Sequence, residues 1–284
     1  MPASAEAADP AVIAGLRARE QAENFPVALR LLPRDLRRHL RAVYDVARVI
    51  DELGDEADGD RTRLLEDFDR DLVLAWQTGE PSSPVLRRLV PTLRELRLDR
   101  ALFARLVQAN LQDQRVTSYP TYGDLLGYCR LSADPVGRIV LAIFGVDDRG
   151  APLLSDRVCT ALQLLEFWQD VAEDRRAGRV YLPQEDLRAY GVTPSHLDAT
   201  TGSPGLRRLL AFEVQRAAGL LEQGAPLVGR LHGWARVAVA GYVAGGRATA
   251  AALRAADFDV MGGPPRPRRR DIVRETCRLL VNRS

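Results

Sequence analysis

The sequence predicts an all-α protein, and three observations carry that prediction. Apolar residues recur at three- and four-residue intervals along nearly the whole chain. Period-2 runs bounded by hairpin turns are nearly absent. The connections are short, with no internal repeat and no interdomain linker, so residues 1–284 read as one domain.

Each element follows from its own signals. Pro33-Arg34-Asp35 opens a long helix in which Leu36, Leu40, Val43, Tyr44, Ala47 and Ile50 share a face, and Gly54 loosens its last turn around Asp55. Arg61 to Thr78 is a second helix, ended by Gly79-Glu-Pro81. Ser83-Pro84 starts a third, to about Leu96, and Asp99 to Asp113 is a fourth. Tyr122-Gly-Asp124 caps a fifth over Leu125 to Leu131, which resumes after Pro135 as Val136 to Phe144. Ser155 caps a long helix through about Arg176, followed by the loop Gly178 to Pro183. Asp186 to Tyr190 and Pro194 to Leu197 are short turns. Pro204 to Gln223, Pro226 to about Ala256, and Arg270 to Leu280 complete the set.

The totals exclude several function classes. A net charge of +2 spread through amphipathic helices gives no polyanion-binding signature, so no nucleic-acid partner is expected. Cys129, Cys159 and Cys277 are too few and too scattered for a disulfide framework or a zinc site; Cys129 and Cys159 read as small core residues. The N-terminus lacks a basic region followed by an apolar one, and no stretch reaches the roughly 18–20 apolar residues of a membrane span. A cytoplasmic protein is expected, peripheral to the inner membrane face at most. The basic stretch Gly262 to Arg270 reads as a solvated connector, with weak attraction to an anionic surface as the alternative. His39, His196 and His232 form no metal or catalytic motif and read as surface or capping residues. With no nucleophile elbow, and no phosphate-binding glycine loop after a strand, neither a nicotinamide nor an ATP site is indicated.

What remains is acidic. Asp51 and Asp55 form one i, i+4 pair, and Asp170 and Asp174 form another. On a helix this spacing puts both carboxylates on one face, where they repel. A single such pair is more often a solvated face. Two pairs in apolar surroundings, each near arginines, fit a divalent cation, and Mg²⁺ usually takes one or two carboxylates plus substrate phosphates. Two such helices facing each other would clamp a Mg²⁺-diphosphate. Arg48, one turn before Asp51, and Arg179, after Asp174, would add charge-assisted hydrogen bonds to the diphosphate.

Asn24-Phe25-Pro26, Tyr44 to Asp51, Tyr128-Cys-Arg-Leu-Ser-Ala-Asp-Pro-Val-Gly137, and Phe167-Trp-Gln-Asp170 through Pro183 together resemble the squalene/phytoene synthase family. The resemblance covers about residues 20–260. Glu23 to Val27 and Phe167 to Asp174 are most similar to its bacterial hopanoid-pathway branch, which converts presqualene diphosphate to hydroxysqualene. The resemblance implies the isoprenoid synthase fold, a helical bundle around a central cavity. It implies Mg²⁺, three ions with the diphosphate, bound by Asp51, Asp55, Asp170 and Asp174, with Glu166 as a further oxygen ligand. Arg48 and Arg179 match diphosphate-binding positions. Tyr44, Tyr128 and Tyr181 match tyrosines near the reacting centre. Phe25 matches a cavity-wall aromatic, and Gln163 a polar residue facing the cavity.

Three departures from the family pattern stand out. Glu23-Asn24-Phe25 lacks the family's basic residue, which favours a one-diphosphate substrate. Glu166 replaces an Asn, and Gln169 replaces the Arg before Asp170, so the pocket becomes more acidic. The implied partners are a prenyl diphosphate substrate such as presqualene diphosphate, enzymes of the same pathway, and a membrane surface held weakly. With no NADPH signal, water is the expected terminator of the reaction. The alternative is a head-to-head synthase making presqualene diphosphate, squalene or phytoene from two prenyl diphosphates. The Ala/Gly/Val-rich helix from Val237 to Ala252 reads either as a wall for a C₃₀ chain or as close helix packing.

Overall fold

The structure, a computed structural model, describes residues 32–281, which divide into two compact units. Phe25 and the Glu23-Asn24-Phe25 departure lie outside the described residues. Fourteen helices and no strand are found among the described residues; one isolated bridge pairs Ser118 with Val180 in parallel.

The first unit comprises residues 32–114 and 142–145. It contains α1 (Arg34–Asp55), α2 (Arg61–Gln77), α3 (Pro84–Leu96) and α4 (Arg100–Asp113). Helix α1 packs on the other three. Its seam is Leu40, Val46 and Ile50, buried against a core that includes Leu65, Leu72, Leu86, Leu89 and Phe103. Asp60 caps α2 by accepting from the Arg63 N–H, and Asp99 caps α4 through Ala101. His39 corrects its expected surface role: it is buried, with Nδ1 2.9 Å from Thr92 Oγ1. That pair fastens α1 to α3 by satisfying two polar groups inside the core.

The second unit comprises residues 115–141 and 146–281. Its helices are α5 (Tyr122–Ser132), α6 (Asp134–Ile143), whose last two residues belong to the first unit, α7 (Ala151–Gln169) and α8 (Val171–Arg176). They continue with α9 (Gln184–Ala189), α10 (Pro194–Leu197), α11 (Pro204–Gly224), α12 (Leu227–Arg230), α13 (Gly233–Ala255) and α14 (Arg269–Val281). Buried α7 is the hub, against α5, α8, α11, α12 and α13.

Several expected boundaries move. Helix α5 begins at Tyr122 because Thr121 and Asp124 form a capping box around its start. Ser155 does not cap α7: the helix begins at Ala151 with Pro152 in its first turn, and Ser155 is buried inside it. The segment from Pro226 to Ala256 breaks at His232, where extended backbone and a left-handed Gly233 (φ 54°) separate α12 from α13. Small residues on α13 serve close packing. A Cβ on Gly246 would meet Leu221 Cδ2 at 2.7 Å and Leu162 Cδ2 at 2.9 Å. Among the described residues, no helix is long and apolar enough to cross a membrane.

Candidate active site

In the first unit, α1 carries Tyr44, Arg48, Asp51 and Asp55. Gly54 does not loosen its last turn; α1 stays helical through Asp55. Gly54 is buried there because α4 presses on it. A Cβ would fall 2.2 Å from Asn110 Oδ1. The space so left lets Asn110 Nδ2 donate to Asp51 Oδ1 at 3.3 Å, and Gln114 Nε2 donate to the Gly54 carbonyl at 2.9 Å. These amides orient the start of the acidic pair, as outer-shell groups do for metal ligands. Arg48 Nε is buried and, among the described residues, makes no hydrogen bond. A buried guanidinium N–H without an acceptor is costly unless an anion takes it.

In the second unit, the backbone breaks at Asp170 (φ −99°, ψ 15°), which closes α7 and opens α8. The expected continuous helix through Arg176 is therefore two helices. The i, i+4 relation survives the break, because the Asp174 N–H still donates to the Asp170 carbonyl at 2.8 Å. The Arg179 N–H then donates to the Asp174 carbonyl, also at 2.8 Å, and folds the following loop back.

Electrostatics tie these carboxylates together. The Asp174 carboxyl is pushed up to about 7, first by burial and then by Asp170, with Glu166 and Glu173 adding to it and Arg179 opposing. Asp170 is also raised, by burial and by Glu173, while Arg266 opposes. A carboxylate whose ionised form is disfavoured by burial and by like charges is a ready ligand for a cation. Among the described residues, no three His, Cys, Asp or Glu side chains converge closely enough to hold a metal alone. The hard-oxygen donors of these carboxylates are of the kind that suits Mg²⁺. On α7, Gln163 Nε2 lies 3.4 Å from Glu166 Oε2, so it is engaged with a carboxylate there.

Beside the acidic break stands an aromatic cluster. Phe167 and Tyr181 stack with centroids 3.8 Å apart and planes at 6°. Tyr128 lies 6.2 Å from Phe167 and 5.9 Å from Tyr181, and Tyr119 lies 5.6 Å from Tyr128. The backbone explains the convergence. Val180 N–H donates to the Thr117 carbonyl at 2.8 Å, and Gln184 N–H to the Tyr119 carbonyl at 2.9 Å, so segments 117–120 and 180–185 run side by side. Phe167, Asp174, Arg179 and Tyr181 line one small cavity with Val171 and Leu197.

Within the second unit, then, Tyr128, Tyr181, Glu166, Asp170, Asp174 and Arg179 come together. Four participants escaped sequence reasoning. Asn110 and Gln114 had no signal beyond their helical position. Tyr119 was legible only as an aromatic before Pro120. Arg266 follows Pro265, whose carbonyl accepts from Gln169 Nε2. Gln169, in place of an arginine, thus holds the connector that brings Arg266 to the field of Asp170.

The squalene/phytoene synthase profile matches residues 18–274. The chain belongs to this family. It is 33% identical over 218 residues to the hydroxysqualene synthase of Zymomonas mobilis, covering 75% of this chain and 72% of that one. It is 32% identical over 218 residues to the phytoene synthase of Mycobacterium bovis, at 75% and 71% coverage. Among solved structures it resembles a squalene synthase of Alicyclobacillus acidocaldarius, with a TM-score of 0.80 and 38% identity over 88% of this chain and 94% of that one. The fold is that of the isoprenoid synthases.

Proposed function

We propose that this squalene/phytoene synthase family member converts presqualene diphosphate to hydroxysqualene in hopanoid-type squalene biosynthesis. The observation that carries the reading is that Asp174, Arg179, Phe167 and Tyr181 line one small cavity. A diphosphate leaving group needs the first two, and the carbocation left behind needs the last two.

Asp51, Asp55, Asp170 and Asp174 would hold Mg²⁺, with Glu166 adding an oxygen beside the second pair. Bound Mg²⁺ supplies charge neutralisation for the departing diphosphate. Arg48, through its unpartnered Nε, and Arg179 grip the phosphate oxygens. The rings of Tyr128, Tyr181, Phe167 and Tyr119 offer their faces to the migrating positive charge, and Tyr44 is assigned to the reaction only by its match to the family's tyrosines. Burial of this cluster keeps bulk water from quenching the cation early. A single water then captures the rearranged cation and passes its surplus proton to the released diphosphate, so no hydride donor is required.

The phytoene synthase relative favours a second reading at nearly the same identity: head-to-head joining of two prenyl diphosphates. Both readings use the acidic pairs, so Asp51→Asn and Asp170→Asn test what they share. Each variant should melt within a few degrees of the wild type and lose at least about a hundredfold in turnover. Near-full activity in Asp170→Asn would remove the metal-clamp assignment.

A further inference from the structure

The first two turns of α1 carry four arginines on one face: Arg34, Arg37, Arg38 and Arg41, at i, i+3, i+4 and i+7. Arg88 of α3 joins them, and the five line an open groove with Ala42 and Asp45. Arg34, Arg38, Arg41 and Arg88 are exposed and Arg37 is half-buried. Arg38 pairs with Glu95 at 2.8 Å. Among the described residues, Arg34, Arg37, Arg41 and Arg88 make no ion pair.

This arrangement opposes two electrostatic preferences. Like charges at i, i+3 and i+4 repel. The positive end of the α1 dipole lies at the same place, where anions and not cations are favoured. Asp35 is the one acidic residue of that first turn, and Pro33 supplies no side-chain cap. The core does not require the charges, since the apolar seam of α1 is Leu40, Val46 and Ile50. An external anion reverses both penalties at once.

We infer that this groove docks the protein on an anionic phospholipid surface. The spread of charge argues for several headgroups over one phosphate. Arg34 and Arg41 are about 10 Å apart along the helix axis, and Arg88 widens the patch from a second helix. The chain's net charge is only +2, so attraction of this kind must be local to such a patch. The inference stands on the groove and is independent of the reaction catalysed. It also suits the proposed reading, because a C₃₀ diphosphate resides in a bilayer.

The test is vesicle co-flotation of the full chain without substrate. Phosphatidylcholine vesicles containing about one-third phosphatidylglycerol are compared with pure phosphatidylcholine, in low salt and in 0.5 M salt. Binding to the anionic vesicles alone, lost in high salt, is expected. Arg37→Glu/Arg41→Glu should weaken it about tenfold or more, and Arg88→Gln less, with melting temperatures confirming folded protein. Should the double reversal not fold, Arg41→Gln/Arg88→Gln replaces it. Equal binding to both vesicle types, or unchanged binding by the variants, would overturn the inference. So would loss only in Arg268→Ala/Arg270→Ala, which would place docking on the C-terminal connector. Binding of inorganic diphosphate by the groove with no vesicle binding would overturn it too, and would mark a soluble-anion site. Turnover of detergent-solubilised substrate by the groove variants should stay at the wild-type level, so failure here is separable from failure of the proposed reaction.

Discussion

Asn110 Nδ2 donates to Asp51 Oδ1 at 3.3 Å, and Gly54 is what allows the approach. A side chain at position 54 would occupy the place of the Asn110 amide. The first acidic pair is therefore oriented from α4 and not only by its own helix. Asn110→Ala should lower kcat/KM about 10–100-fold and raise the Mg²⁺ concentration for half-maximal activity. Gly54→Ala should do much the same by displacing Asn110, and should cost about 1–3 kcal/mol of stability through overpacking. An Mg²⁺ titration of activity beside a thermal melt checks both. Unchanged Mg²⁺ dependence in Asn110→Ala would free Asp51 from this support.

The Phe167–Tyr181 stack separates ring from hydroxyl. Tyr181→Phe keeps the stack and removes only the hydroxyl. Tyr181→Leu should lose about 0.5–1.5 kcal/mol beyond its lost burial, together with most activity. If Tyr181→Phe is as inactive as Tyr181→Leu, the hydroxyl matters more than the ring face, and steady-state kinetics on the two variants decides this.

Charge lost at Gln169 is met by Arg266, the residue after the carbonyl that Gln169 holds. Arg266→Ala should weaken inorganic diphosphate binding in the presence of Mg²⁺ by about fivefold to tenfold. Gln169→Arg/Arg266→Ala should recover part of that loss. Calorimetric titration with diphosphate measures both, and equal affinity for wild type and Arg266→Ala would remove Arg266 from the site.

Glu213 is wholly buried, and its carboxyl is pushed up to about 8 by burial, with Arg216 opposing and Asp186 adding to the rise. Its folded pKa lies above the unfolded value near 4.5. The folded state thus holds a proton that the unfolded chain releases. Stability from this group is complete below about pH 4.5 and declines as pH rises to about 8. Glu213→Gln should match the wild type near pH 4, and should melt at a higher temperature than the wild type at pH 9. A variant equally destabilised at both pH values would mean that an ionised Glu213 paired with Arg216 is what holds the helix.

The helical character of the chain was legible in its apolar periodicity, and the second acidic motif in its spacing. The break at Asp170 was not, because nothing near it is a glycine or proline. Ser155 resembled a cap by composition, yet Pro152 in the first turn sets the start of α7 earlier. His39 resembled a surface residue until Thr92, distant in sequence, supplied its partner. Asn110, Gln114, Tyr119 and Arg266 share that cause. Each acts through a partner that only the folded chain brings near.

The most direct measurement of the central claim is product analysis. Purified protein with Mg²⁺ and no NADPH is given presqualene diphosphate, and separately farnesyl diphosphate and geranylgeranyl diphosphate, and the organic extracts go to mass spectrometry. Hydroxysqualene from presqualene diphosphate, with no product from the other two, is the expected result. Presqualene diphosphate or a C₄₀ hydrocarbon from the shorter substrates, with presqualene diphosphate left intact, would contradict it.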